Sequence, residues 1–360
     1  MSAVLAPGSN TPETLEQSNR LSVRPMQSAD RNRWDEFVHD CPAATFFHRA
    51  GWQEVIERAF GHRTWFLLAE AGGTIEGVLP LAEVKSLLFG HSLVSLPFCV
   101  YGGVAAQTDR ARVALDAEAI ALAERLRVGH LEYRSRARER TEWETKDLYV
   151  TFRKAIDPDP DKNLNAIPRK QRAMVRKAIK AGLASSIDSE TDRFFSAYSD
   201  SVHRLGTPVF SRRYFDILRE VFARDSEILT VTRNGSLVAS VLSFYFRDEV
   251  LPYYGGGTRL ARESAGNDFM YWEVMRRACE RGLRMFDYGR SKRGTGSFDF
   301  KKNWGFEPTP LVYEYRLLRR TAIPQNNPLN PKYRTMIAVW RRLPRWLVSA
   351  IGPYIVRGLG

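Results

Sequence analysis

Along this chain the spacing of apolar residues switches repeatedly between two and three-to-four, and the switches fall twice in the same order. "LSVRPM" alternates as a strand does, and "DRNRWDEFVHD" reads as a helix from Asp30. In "RAGWQEVIERAFG", Trp52, Val55, Ile56, Ala59 and Phe60 share a helix face and Gly61 supplies the stop. "TWFLLAEA", "GTIEGVLPLAEVK" and the uncharged run over 86–108 are strand-like, with Gly72-Gly73 as a hairpin signal. A helix from about Asp109 to Leu126 and the strand "HLEYR" complete the series.

The second half repeats it. "DRFFSAYSDSVHRLG" and "SRRYFDILREVFARD" read as helices, and "EILTVTRN", "GSLVASVLSFYFRD" and "EVLPYYGGGT" alternate as strands with Asn234-Gly235 and Asp248-Glu249 at the turns. A helix from about Asn267 to Gly282 precedes the strand "RMFDYG", and "PLVYEYRL" supplies a last strand. Two copies of one α/β unit follow from this echo, joined by the Pro-, Asp- and Asn-rich "IDPDPDKNLNAIP". The expected organisation is a disordered lead-in (1–20), a first unit (21–155), a linker (156–168), a second unit (169–320) and a basic amphipathic tail (321–360).

Composition is ordinary for a globular chain, with 44% hydrophobic and 26% charged residues. The run over 86–108 lacks Asp, Glu, Lys and Arg and is long enough to span a bilayer, yet Gly90, Pro97, Gly102 and Gly103 favour buried strands joined by turns. The polar first twenty residues lack the basic start and apolar run of a secretory signal. Cys41, Cys99 and Cys279 are odd in number and far apart, which fits a reducing cytoplasm and neither a disulfide framework nor a metal cluster. The net charge of +13 is uneven: nine Lys/Arg and no acid lie between Arg316 and Gly360, leaving about +4 for the rest. A second block, Lys162 to Lys180, holds seven Lys/Arg and no acid, and Arg169, Arg172, Arg176 and Lys180 share a helix face that either meets an anionic partner or is simply solvated. Patches of this kind suit a polyanionic partner that meets part of the surface.

The order of elements resembles the GNAT acyltransferase fold. The segments "PRKQRAMVRKAIKAGL", "GTPVFSRRYF", "YYGGG", "SAGNDFMYWEVMRRACERGLRMFDYGRS" and "GSFDFKKNWGFEP" together resemble the tandem-GNAT FemABX group, most closely the FemAB-related proteins of exosortase/PEP-CTERM systems. That resemblance covers roughly residues 20–320. It implies an α/β fold of two tandem GNAT-like domains with mixed, mostly antiparallel sheets flanked by helices, plus the basic helical tail. It further implies a cytoplasmic acyl- or aminoacyltransferase that forms an amide on an amino group of an envelope-glycan precursor, in peptidoglycan or exopolysaccharide assembly. The donor would be aminoacyl-tRNA or acyl-CoA, the acceptor nucleotide- or lipid-linked, and no cofactor would be permanently bound. A CoA-dependent N-acyltransferase of the same fold and a non-catalytic glycan- or membrane-binding scaffold are the alternatives.

The stretch "GRSKRGTGSFDFKKNWGFEP" carries the sharpest candidates. Lys301 stands in a Phe-Lys-x-x-Trp-Gly pattern that the FemABX group uses at its reaction centre, where a fixed cation steadies an oxyanion or holds the tRNA end; such a term is worth on the order of 3 kcal/mol. Alternatively, Lys301 is solvated while Phe300, Trp304 and Phe306 plug the core. Arg290, Lys292 and Arg293, beside Gly294 and Gly296, are candidates for phosphate binding, although no Walker sequence is present. The resemblance places a phosphate-binding arginine at Arg212 or Arg213, which otherwise decorate a helix start. Tyr253 and Tyr254 precede three glycines at a strand end, where a substrate can approach backbone; alternation sends the two rings to opposite sides. Tyr254 and Asp287 are candidate catalytic groups, Asp287 as proton acceptor for the amine or as a structural hydrogen-bond acceptor. "RESAGN" stands where coenzyme-A enzymes of this fold keep a glycine-rich pyrophosphate turn, which makes Ser264, Gly266 and Asn267 binding candidates; Asn267 equally caps its helix. The tail, with Ile337, Trp340, Leu343, Leu347 and Ile351 on one face and arginines elsewhere, suits either an anionic bilayer surface or the protein's own core.

Overall fold

The structure, a computed structural model, describes residues 20–86, 89–324 and 331–359. The expected lead-in lies outside the described residues except for Arg20. The first series runs β1 (Ser22–Pro25), α1 (Arg31–Asp40), α2 (Gly51–Phe60), β2 (Thr64–Ala71), β3 (Thr74–Ser86), β4 (Gly90–Val94), β5 (Ala105–Ala106), α3 (Asp109–Arg125), β6 (His130–Ser135), β7 (Glu144–Lys146) and β8 (Tyr149–Ala155). The second runs α4 (Pro160–Ala166), α5 (Arg169–Lys180), β9 (Leu183–Asp188), α6 (Asp192–Leu205), α7 (Arg212–Val221), β10 (Ser226–Arg233), β11 (Ser236–Phe246), β12 (Glu249–Gly257), α8 (Arg259–Ser264), α9 (Gly266–Glu280), β13 (Met285–Asp287), β14 (Ser291–Lys292), α10 (Gly296–Asn303), β15 (Pro308–Pro310) and β16 (Val312–Leu317). Helices α11 (Pro331–Trp340) and α12 (Arg345–Arg357) form the tail.

Two mixed, mostly antiparallel sheets result, in the orders β1-β2-β3-β4-β6-β16-β7 and β14-β8-β13-β12-β11-β10-β9. They exchange strands. β8 pairs with β13 of the second sheet and β16 with β6 of the first, so the expected boundaries at 155 and 320 do not separate the sheets. The crossings adjoin: the Leu311 amide, between β15 and β16, donates to the Tyr149 carbonyl at 3.0 Å. A buried carboxylate anchors the returning strand. Glu314 is fully buried and accepts from the backbone amides of Glu139 and Arg140 at 3.0 and 2.7 Å and from the Arg140 guanidinium at 3.0 Å. The expected linker is a helix, α4, whose Asn163 amide closes on the Asp157 carbonyl at 2.7 Å.

One core joins the units. Phe46 stacks on Phe244 with ring centroids 4.4 Å apart, and Phe47 meets Tyr253 at 5.1 Å. Burying each such ring contributes about 2 kcal/mol. The run over 86–108 is largely buried in its described part, as its turns imply, and among the described residues no helix is long and apolar enough to cross a membrane.

Candidate active site

The second sheet parts at its centre. β12 and β13 pair in parallel only at Glu249–Met285 and Val250–Phe286, after which β12 continues to Gly257 while β13 ends at Asp287. The edge of Gly255–Gly257 therefore faces a cavity of about 770 Å³, closed by α6, by Asn267, Met270 and Tyr271 of α9, and by Ser297, Phe300 and Lys301 of α10. Strand edges of this kind offer backbone N–H and C=O groups to an amide-bearing ligand. Glycine is required for different reasons along the edge. A Cβ on Gly256 would lie 2.6 Å from the Ala197 carbonyl oxygen, whereas one on Gly255 would meet Met270 and Tyr271 at ordinary contact, 3.4 Å. Gly256 thus lets α6 seat on the strand, and Gly255 keeps the cavity open. Arg259 and Arg262 give the mouth a positive rim.

A bulge between Leu242 and Ser243 leaves Tyr253 without a register partner. The tyrosines consequently lie together, 4.6 Å apart, and not on opposite sides as alternation implied. The Tyr254 hydroxyl bonds that of Tyr214 at 2.8 Å, Tyr253 donates to the Phe98 carbonyl at 3.0 Å, and burial pushes both hydroxyls well above their ordinary range. Both serve the aromatic core between the units, outside the cavity.

Lys301 does reach the cavity, though not as a solvated cation. It is 9% exposed, and its Nζ donates to the carbonyls of Tyr288, Gly289 and Arg290 at 2.7, 3.0 and 3.2 Å. All three ammonium donors are engaged, so Lys301 pins the loop after β13 against the cavity floor. Burial pulls its pKa to about 7, against the attraction of Asp287. Trp304 and Phe306 are core, as their spacing implied, and Phe300 lines the cavity.

Asp287 does not line the cavity. Its carboxylate accepts from Tyr101 at 2.8 Å, from Thr151 at 3.2 Å and from the Gly289 amide at 2.7 Å, with Arg153 at 3.3 Å, which is the structural role. In the "RESAGN" corner only Asn267 and the residues before Ser264 line the cavity. The Ser264 hydroxyl donates back to Leu260 at 2.6 Å, and Gly266 is a packing glycine whose Cβ would fall 2.3 Å from Val238. Ala265, at φ +56°, caps α9; Asn267 does not. Asp268 behind it is buried and accepts from Gln171 and Trp304, each at 3.0 Å.

Arg290 and Lys292 point away from this cavity toward Tyr149, and Arg293 is exposed. Arg212 is exposed and bonds Asp192 at 2.9 Å, and Arg213 is exposed beside it on α7. On α5, Arg169, Arg176 and Lys180 are exposed, while Gln171, Val175 and Ala178 face inward. Arg259 and Tyr271 were missed from sequence, although a cation directly after a strand-terminal Gly-Gly-Gly-Thr was a usable signal.

Residues 169–302 match a family model described as an acetyltransferase (GNAT) domain. Solved structures match most of the chain across both units. A crystal structure of FemX superposes with a TM-score of 0.65 at 14% identity, over 83% of this chain and 98% of that one. A tandem GNAT protein from the clavulanic acid biosynthesis pathway gives 0.53 at 12% identity, over 84% and 100%. This chain has the tandem GNAT fold, with a GNAT acetyltransferase domain matched in its second unit. A similar fold occurs in the C-terminal domain of a putative lysylphosphatidylglycerol synthetase from Agrobacterium fabrum, with a TM-score of 0.53 at 10% identity over 80% and 92%. No curated protein sequence matches the chain.

Proposed function

We propose that this GNAT-fold protein is a FemAB-type transferase that binds its acyl donor along Gly255–Gly257 and forms an amide on an amino group of an envelope-glycan precursor, peptidoglycan or exopolysaccharide. The parted strand edge beside a roughly 770 Å³ cavity carries this reading. The amine nitrogen attacks the donor carbonyl, forming C–N and breaking the C–O bond of an aminoacyl-tRNA ester or the C–S bond of a thioester; the leaving oxygen or sulfur takes up the amine's proton. Lys301 fixes the loop that borders the reacting carbonyl.

A CoA donor is the second reading, favoured by Arg259 and Arg262 at the cavity mouth, where a pyrophosphate would be met. The tail supports work at the inner face of the cytoplasmic membrane, where lipid-linked acceptors lie. It docks through Val348, Gly352 and Val356 while Trp346 (70% exposed), Tyr354 (79%) and Met336 (62%) face outward beside Arg341, Arg342 and Arg345.

Titration with charged tRNA and with acyl-CoA at two salt concentrations tests the donor. Salt-sensitive tRNA binding supports the FemAB-type reading, saturable CoA binding alone moves the protein to CoA-dependent acyl transfer, and binding of neither overturns both in favour of a scaffold.

A further inference from the structure

A second cavity, of about 100 Å³, lies between the inner face of the first sheet and the loop after β13. It shares no lining residue with the donor cavity. Arg290 and Lys146 stand in its wall, and Lys292 lies beside the Tyr149 ring that lines it. The Arg290 guanidinium lies 4.5 Å from the centre of the Tyr149 ring and spends one N–H on the Tyr313 hydroxyl at 2.9 Å. Lys146 donates to the Pro324 carbonyl at 2.9 Å, and Lys292 lies 5.5 Å from the centre of the Tyr149 ring. Among the described residues no carboxylate pairs with any of these three. The one acid in the wall, Glu132, is held by Arg134 at 2.9 Å. His130, 4% exposed, lines the same space with its Nδ1 unpartnered.

Half-buried cations repel one another, and each charge taken from water without a partner is costly. The strain registers at Lys292, whose pKa falls to about 8 through burial and then through the charges of Arg290 and Lys146. A guanidinium placed over Tyr149 and tied by one N–H to the Tyr313 hydroxyl, with other donors left over, suits two-pronged capture of a phosphate or similar oxyanion. The volume admits such a group with a few waters.

We propose that this cavity is a second ligand site, which takes the phosphate of a phosphorylated acceptor. The word acceptor rests on the transfer reading above; the anion site does not. Geometry argues for the acceptor over the donor. The loop 288–292 separates the two cavities, its carbonyls bound to Lys301 on the donor side and its Arg290 side chain entering the second cavity. A phosphate held there keeps the rest of its molecule one loop away from the donor carbonyl.

The test is site-resolved lysine labelling of the full chain by reductive methylation, mapped by peptide mass spectrometry, with inorganic pyrophosphate as the probe. Millimolar pyrophosphate should slow labelling of Lys146 and Lys292 by at least about tenfold and leave exposed Lys302 unchanged; Arg290→Lys, which loses the planar fork, should need about tenfold more pyrophosphate for the same protection. Unchanged labelling, or protection that survives Arg290→Lys undiminished, overturns the site. Equal protection by CoA would assign the cavity to the donor's phosphates and overturn the acceptor assignment. Labelling needs no turnover, so its outcome is independent of whether tRNA or CoA binds in the titration above.

Discussion

Lys301 Nζ lies 2.7 Å from the carbonyl oxygen of Tyr288, thirteen positions earlier in the chain, and the next two carbonyls complete its shell. Lys301→Met leaves three carbonyls at the cavity floor without a donor. The expected loss is about 3 kcal/mol of stability, read from urea unfolding, together with a donor affinity lowered at least about tenfold. Native stability with native donor binding in this variant would refute the clamp.

His48 predicts acid sensitivity. Its Nδ1 accepts from the Thr45 amide at 3.1 Å, so the neutral ring is the one that fits, and burial, with the Arg136 charge, lowers its pKa from 6.5 to about 4. Between those values the unfolded chain binds more protons than the folded one. Stability therefore falls as pH drops from about 6.5 to 4, by roughly 3 kcal/mol in total. Thermal midpoints across that window should fall for the wild type and fall less for His48→Gln.

Glu314 tests the exchange of strands. Glu314→Ala leaves the buried Arg140 with Asp116 at 2.8 Å and the more distant Glu139 at 3.5 Å, and two backbone amides unsatisfied. A loss of about 3–5 kcal/mol is expected in urea unfolding. A fragment ending at residue 156 should fail to give a soluble folded unit, since it lacks β16 and leaves the β6 edge open.

The tail's outward residues predict membrane affinity separable from folding. Trp346→Ser with Tyr354→Ser should lower sedimentation with anionic vesicles about tenfold without moving the thermal midpoint. Undiminished sedimentation would leave the tail as a docked cover only.

Much of this architecture was legible because its signals are local. Helical spacing in 51–60 follows from which face is buried, while the strands over 226–257 are legible from their β-branched and aromatic runs bounded by turns, although β11 is buried on both faces along most of its length. Sheet membership is not local: "YVTFRKA" and "VYEYRL" alternate alike, and nothing within them says that each pairs in the other unit's sheet. At the site, Lys301 and the glycines after Tyr254 were readable from their setting. Tyr253 was not, because a one-residue bulge decides where its ring goes; for Asp287 the hydrogen bond to the following loop was readable, but its buried partner Tyr101, 186 residues away, was not.

Gly255→Ala tests most directly whether the parted strand edge is the donor site. A Cβ there would meet Met270 and Tyr271 on the cavity side at ordinary contact distance, 3.4 Å, whereas Gly256→Ala would strike backbone and serves as the destabilising control. The expected result for Gly255→Ala is a wild-type thermal midpoint with donor affinity, for tRNA or CoA, reduced at least about tenfold. Unreduced donor binding by the folded Gly255→Ala protein would contradict the donor site.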